Sequence, residues 1–194
     1  GAYVSRQMVG WADLEDNGVW NTDATYGAVW FPTTVADDWA PYRYGSWSWL
    51  PGWGWTWVDD APWGYAPFHY GRWAFVGSRW GWIPGGYIAR PVWAPALVGW
   101  YGGAGWSVSV GVGAPVFGWV PLGWGDPYLP SWNNCSRRCW TLYNRPYAVN
   151  HAERPHAPPT RYSNYGVPGA ITAVGGATLV ARKHGHGGLP DDTI

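Results

Sequence analysis

A unit of about 27 residues repeats along the first half of the chain and constrains the fold more than any other feature. Three copies begin with a Gly two positions before a Trp, at Gly18, Gly45 and Gly71. A weaker fourth copy joins Gly105-Trp106 to residues 117–121 (FGWVP). The segment between copies repeats as well, because residues 40–45 (APYRYG) match residues 66–71 (APFHYG). The chain therefore contains a duplicated unit rather than simple low-complexity sequence.

Within each copy, aromatic residues alternate with other residues at a period of two, which is typical of β-hairpins. In the second copy the alternating positions flank a turn at residues 50–52 and are Trp47, Trp49, Trp53, Trp55 and Trp57. In the third copy we expect Trp73 and Phe75 to pair with Trp80 and Trp82 across residues 76–79, a turn one residue longer. Alternate glycines leave room for rings of the neighbouring strand to lie over the backbone. The pattern predicts hairpins with stacked aromatic rings.

The chain of 194 residues contains 20 Trp, 13 Tyr, 29 Gly and 18 Pro, and no segment predicts a helix of convincing length. We therefore predict an all-β fold of tandem Trp/Gly-rich β-hairpins with long Pro/Gly loops. The hairpins could form a twisted antiparallel sheet, a barrel or a hairpin solenoid. Residues 1–125 would form the hairpin repeat domain, and residues 126–194 a loop-rich C-terminal extension that packs on it or on a neighbour. Further strands are expected at residues 107–110 and 170–174.

The charge balance excludes some classes of partner. The chain has 12 basic and 12 acidic residues and a net charge of +0, so no basic surface for nucleic acid or an anionic membrane is expected. No apolar run is long enough to predict a membrane span.

The two cysteines, Cys135 and Cys139, are separated by residues 136–138 (SRR). A zinc site would need two more ligands nearby, so a local disulfide in an oxidising compartment is favoured, although two free thiols would have the same sequence. We predict no metal and no cofactor.

Motifs for catalysis are missing, and only two glutamates are present. The pairs Asp37-Asp38 and Asp59-Asp60 could act as acid and base or bind calcium, but aspartate next to proline favours turns. His69 stands where the preceding copy has Arg43, which favours an exposed or stacking role over a catalytic one. His184 and His186, with His151 and His156, give only a weak metal signal. The sequence predicts that the protein is not an enzyme.

Twenty tryptophans are too many for a core of this size, so some must face outward as an interaction surface. Exposed Trp rings can stack on the apolar faces of sugars. The expected aromatic platform for such binding consists of Trp47, Trp55, Trp57, Trp73 and Trp82.

Several segments resemble a bacterial family of Trp/Tyr-rich secreted or envelope proteins of unknown function, often described as FecR-like. They are residues 39–45 (WAPYRYG), 54–64 (GWTWVDDAPWG), 66–73 (APFHYGRW), 118–123 (GWVPLG) and 167–174 (VPGAITAV). The resemblance implies export and supplies no catalytic residues. The chain departs from it at the cysteine pair and at the His/Gly-rich end.

These observations favour a non-enzymatic extracytoplasmic protein, in the periplasm, on the outer surface or outside the cell. Its aromatic hairpins and strand edges would mediate assembly, as a homo-oligomer or within a larger envelope or extracellular complex. The alternative is a module that binds polysaccharide or cell-wall glycan on exposed Trp platforms.

Overall fold

The computed structural model describes residues 2–101, 116–130, 132, 135–149, 159 and 161–175. The described strands are β1 (Gly18–Asp23), β2 (Gly27–Pro32), β3 (Gly45–Leu50), β4 (Gly54–Asp59), β5 (Arg72–Val76), β6 (Arg79–Ile83), β7 (Val98–Tyr101), β8 (Val116–Pro121) and β9 (Thr172–Gly175). The helices are α1 (Asp13–Asn17), α2 (Ala66–His69) and α3 (Arg137–Asn144), and short 3-10 turns cover Arg145–Tyr147 and Ser163–Gly166. The predicted all-β class is confirmed.

All strand pairs are antiparallel, and the described strands form open sheets of four, two and three strands. The four-stranded sheet has the order β1-β2-β6-β5, so the hairpins of the first and third copies join through β2 and β6. The hairpin β3-β4 of the second copy forms its own sheet, and β7-β8-β9 forms the third. Hairpins consecutive in the chain are therefore not stacked in chain order.

The aromatic pairs of the third copy follow the predicted register, whereas in the second copy the turn lies at residues 51–53 instead of 50–52, so Trp53 is in the turn rather than on a strand. Trp47 lies opposite Trp57, Trp49 opposite Trp55, and Trp73 opposite Trp82. The turn between β5 and β6 was predicted to be the longer one, and this is wrong, because β3 and β4 are joined by residues 51–53 whereas β5 and β6 are joined by two residues only. Those two residues, Gly77 and Ser78, have φ values of 56° and 64°, and positive φ at both positions allows a tight hairpin turn that matches the strand twist.

The glycine that opens each copy supports a tryptophan of the paired strand. The rings of Trp30, Trp57 and Trp82 lie over Gly18, Gly45 and Gly71, respectively, and a Cβ at any of these glycines would overlap the indole. Each opening Gly and the Trp that follows it 11 or 12 residues later are therefore a packing pair.

Most of the fully buried tryptophans donate their indole N–H to a main-chain carbonyl. The acceptors are Leu14 O for Trp30 at 2.9 Å, Pro67 O for Trp73 at 3.0 Å, Tyr70 O for Trp82 at 2.8 Å and Tyr42 O for Trp119 at 2.7 Å. Each bond satisfies the polar end of a large apolar ring inside the core. These bonds fix the orientation of the rings as well as their burial.

Tyr42 connects three segments of the core. Its side chain is fully buried, and its φ of 61° lies in the left-handed region. The hydroxyl donates to Phe68 O at 2.8 Å and accepts from Leu97 N at 3.1 Å. The phenol thus links the segment before β3 to α2 and to the chain entering β7.

Residues 117–121 of the fourth copy lie in strand β8. Strand β8 pairs with β7, with Trp100 opposite Trp119, and on its other side with β9. Residues 105–106 and the predicted strand at 107–110 lie outside the described residues. Strand β9 begins at Thr172, inside the predicted segment 170–174.

The described part of the C-terminal segment packs on the hairpins around Arg72. This buried guanidinium donates to the main-chain oxygen of Asp126 at 3.3 Å, to Tyr143 O at 3.2 Å and to Oδ1 of Asn144 at 3.2 Å. Its Cζ atom lies 4.2 Å from the centre of the Tyr147 ring. A single buried cation therefore anchors helix α3 to β5.

Helix α3 is a further correction, since no convincing helix was expected. The side chain of Ser136 caps it by accepting from Cys139 N at 3.2 Å, which satisfies one of the free N–H groups of the first turn.

No helix in the described ranges is long and apolar enough to cross a membrane.

Candidate binding groove

Four of the five tryptophans expected to form a binding platform are in the core. Trp47, Trp57, Trp73 and Trp82 expose at most 2% of their surface, whereas Trp55 is half-buried. These four cannot present a face to a ligand in the folded protein, so this part of the predicted platform is wrong. Position along the hairpin decides which rings are buried, because residues two apart on a strand share a face and only the part of that face over the core is covered.

The tip of the hairpin β3-β4 continues the same aromatic face beyond the core. Trp49 and Trp55, opposite each other, project there, and Trp49 is 43% exposed. Trp53 lies in the turn and is 42% exposed, held between Gly52 and Gly54, whose φ values are 83° and 88°. Positive φ on both sides suits glycine and lets the chain turn sharply enough to project the intervening ring.

These rings form one wall of an open groove of about 280 Å³. Five tryptophans line it: Trp49, Trp53, Trp55, Trp100 and Trp132. The remaining described lining residues are Gly52, Gly54, Pro95, Ala96, Val98, Tyr128 and Leu129. We call this feature the aromatic groove.

The rings of the aromatic groove meet edge to face. The ring centres of Trp49 and Trp55 are 5.4 Å apart at 82°, and those of Trp53 and Trp132 are 5.2 Å apart at 78°. Trp53 also meets Trp93 at 5.0 Å and 88°. Such pairs add about 0.5–1.5 kcal/mol each beyond the area they bury, so the groove is preorganised by its own rings.

The opposite wall, Tyr128 to Trp132, is held by Asn144. The Asn144 side chain is fully buried; its Oδ1 accepts from Tyr128 N at 2.6 Å, and its Nδ2 donates to Tyr128 O at 3.0 Å and to Trp140 O at 3.0 Å. The Trp132 ring packs on the ring of Tyr143, with 5.9 Å between centres. One amide therefore fixes the backbone of this wall to helix α3.

A disulfide joins Cys135 to Cys139 next to this wall, with 5.2 Å between their Cα atoms. Cys135 is buried in a small cluster with Trp140, and Trp132 packs against that cluster. The disulfide therefore joins the segment just before helix α3 to the first turn of that helix.

Asp59, considered above as a possible acid or base, serves the fold instead. Its Oδ2 accepts from Trp57 Nε1 at 2.9 Å and its Oδ1 from Ala61 N at 3.0 Å, as expected for a turn residue. Burial raises the pKa of the Asp59 carboxyl to about 7. Its neighbour Asp60 is exposed. Neither aspartate lines the aromatic groove.

His69 is buried, so the exposed position suggested for it is wrong, whereas the stacking role is found. Its ring stacks on Trp93 with 5.2 Å between centres and 20° between planes, and Nδ1 lies 2.8 Å from Ala94 O. Burial lowers the pKa of His69, which keeps the imidazole neutral. It is a packing residue rather than a base open to a substrate.

No cluster of three or more metal-binding side chains occurs within the described part of the chain. His151, His156, His184 and His186, the weak metal candidates, lie outside the described residues.

Sequence reasoning missed Trp49, Trp53, Trp100 and Trp132 as members of one site. The exposed position of Trp53 had a signal, since it lies between two glycines at a hairpin tip. Nothing local indicated that residues near 100 and 132 meet that tip.

No curated protein and no solved structure matches the chain. The model of a family of unknown function, DUF6600, matches residues 11–126, more than half of the chain. The match includes the hairpin wall of the groove and Trp100, while the wall from Tyr128 to Trp132 follows it. The FecR-like description and the bacterial origin stay expectations from the sequence. The protein is a member of DUF6600, a family of unknown function.

Proposed function

We propose that this protein is a non-catalytic extracytoplasmic module that binds polysaccharide in the aromatic groove. The observation that carries the proposal is the convergence of five tryptophans on one open groove of about 280 Å³. Trp49 and Trp53 are each more than 40% exposed there, whereas Trp30, Trp63 and Trp119 in the core are at most 1% exposed.

The chemistry of the groove suits sugar rings. The apolar C–H face of a pyranose packs on an indole, and bridging water can satisfy the hydroxyl groups at the rim. Ligand sites are commonly concave and mostly apolar, with volumes of about 300–1,000 Å³, and this groove is near the lower end.

The non-catalytic part of the proposal rests on the lining. The described lining residues include no Asp, Glu, His, Lys, Arg, Ser or Cys. Glycoside hydrolysis needs a pair of carboxyl groups at the scissile bond, and other hydrolytic reactions need a nucleophile with its base. The extracytoplasmic part is supported by the disulfide between Cys135 and Cys139, since such bonds persist mainly in oxidising compartments.

Titration of the intrinsic Trp fluorescence with a panel of oligosaccharides tests the proposal. We expect saturable quenching by at least one glycan class. In the Trp49→Ala variant the affinity should fall about 2- to 12-fold, the equivalent of losing about 0.5–1.5 kcal/mol of aromatic stacking. The control is Phe75→Ala, which removes an aromatic ring that is 43% exposed and lies outside the groove. Equal weakening in both variants, or no binding across the panel, would contradict the proposal.

A second candidate function is assembly through a strand edge. Strand β1 is the feature that supports it. This strand lies at the edge of the four-stranded sheet, and none of its residues is buried. Val19 on this strand is 44% exposed. An edge strand of this kind presents main-chain groups to another strand.

Light scattering after size-exclusion chromatography tests the assembly function. We expect the wild type to form a species larger than one chain and Val19→Lys to be monomeric, because a charge on an edge strand opposes pairing. Val9→Lys, at a residue that is 56% exposed outside the strands, is the control. A wild type that is monomeric at every concentration excludes this second function.

A further inference from the structure

We infer that the ligand of the aromatic groove is an uncharged polysaccharide and that the groove discriminates against glycans built from uronic acids. This inference rests on the proposed function and names the class of ligand for the same site. The charge of the ligand matters because no described side chain on the groove walls is charged.

Every described side chain that lines the groove is uncharged. Tyr128 is the one titratable group among them, and burial raises its pKa above the usual range, so its phenol keeps its proton. No change of pH in the physiological range therefore places a charge on the described lining.

The sequence extends this neutrality to the segments around each wall. The hairpin tip belongs to residues 44–58, Pro95 to Trp100 belong to residues 91–125, and the second wall belongs to residues 127–136. None of these three stretches contains Asp, Glu, Lys, Arg or His, although the chain has 12 basic and 12 acidic residues. The three stretches that build the groove are therefore free of charged residues.

A carboxylate entering such a groove loses water without gaining a cation. Recognition of carboxylates in proteins normally uses Arg or Lys in charge-assisted hydrogen bonds. The faces of aromatic rings carry partial negative charge, which repels an anion placed over them. Burial of an unpaired charge is costly, whereas neutral hydroxyl groups keep their hydrogen bonds to N–H groups, main chain or water.

Matched oligosaccharides provide the test. Affinity is measured by calorimetry for neutral hexasaccharides of β-1,4-glucose, α-1,4-glucose, β-1,4-mannose and β-1,4-N-acetylglucosamine, and for the β-1,4-glucuronate hexamer, which differs from the first only by a carboxylate at C6. We expect at least one neutral hexamer to bind and the glucuronate hexamer to bind at least tenfold more weakly than that one. The neutral affinity should change less than twofold between low salt and 0.5 M salt, because no ion pair contributes.

Adding a cation to the groove should weaken its discrimination against uronic acids. Leu129→Arg places a guanidinium on the groove wall, and Leu142→Arg places one at a residue that is 50% exposed and outside the groove. Only the first variant should gain affinity for the glucuronate hexamer. Circular dichroism of both variants checks that they are folded.

The results separate the two proposals. Glucuronate binding as tight as that of the best neutral hexamer, or a strong loss of neutral binding in salt, overturns the inference and leaves the glycan-binding function intact. Failure of every hexamer to bind, with a proline-rich peptide bound instead, overturns the proposed function and the inference with it.

Discussion

Asp59 makes the stability of the protein depend on pH in an unusual direction. Its carboxylate closes the end of β4 by accepting hydrogen bonds from the indole of Trp57 and from the main chain of Ala61. Burial raises its pKa from 3.8 to about 7, and the two hydrogen bonds only partly oppose that effect. The folded protein therefore binds a proton at this site more tightly than the unfolded chain does.

The sign and size of the effect follow from this difference. The stability gained from the tighter proton binding at Asp59 is fully present below pH 3.8, the pKa of this group in the unfolded chain. It is lost as the pH rises through the folded-state pKa of about 7. At about 1.36 kcal/mol per pKa unit, the free energy of unfolding should fall by up to about 4 kcal/mol between pH 4 and pH 8. Most carboxylates that are hydrogen-bonded in folded proteins act in the opposite direction, losing stability in acid.

Urea denaturation of the wild type and of Asp59→Asn, followed by circular dichroism at pH 4 to 8, measures the effect. The amide does not titrate, so the difference in unfolding free energy between the two proteins isolates Asp59 from the other carboxyl groups. We expect the wild type to lose stability relative to Asp59→Asn as the pH rises. A difference that stays constant across this range, or that changes in the opposite direction, would refute the reasoning.

Two further predictions concern the core. Tyr42→Phe removes a hydroxyl with two buried hydrogen-bond partners and should lower the unfolding free energy by about 2–4 kcal/mol, measured by urea denaturation, whereas Tyr87→Phe, at a residue that is 65% exposed, should change it little. Gly18→Ala forces a Cβ into the ring of Trp30 and should cost about 1–3 kcal/mol, visible as a lower Tm; the control Gly86→Ala meets no atom within 4 Å. Equal Tm values for the two Ala variants would show that the repeated Gly and Trp are not a packing pair.

The hairpins were predictable because their signals are local. Alternation at a period of two placed Trp73 opposite Trp82 and Phe75 opposite Trp80, in the register that the structure has, but it put the turn of β3-β4 one residue too early. The turn of β5-β6 was harder, since residues 76–79 suggested a longer loop than the two-residue turn found there. Helix α3 was missed because its stability comes from a cap and from tertiary packing more than from a long apolar periodicity.

The candidate site was predictable only in part. The excess of tryptophan correctly required that some rings face outward, but the rings chosen were mostly those over the core. Along β3-β4 the covered and exposed rings share one face, and no local pattern separates Trp47 from Trp49. The difference comes from Trp100 and Trp119, which lie against Trp47 from a distant part of the chain.

The sequence by itself determined the β-class, the register of the β5-β6 hairpin, the pairing of Gly with Trp, and the neutrality of the segments that build the groove, because each depends on residues close together in the chain. The tertiary structure alone decided which indoles are exposed, how the wall at Trp132 meets the hairpin tip, and why Arg72 is buried without a carboxylate partner among the described residues. Those features depend on packing between segments far apart in sequence. Such packing responds to the shape and volume of the whole core, which a local pattern does not contain.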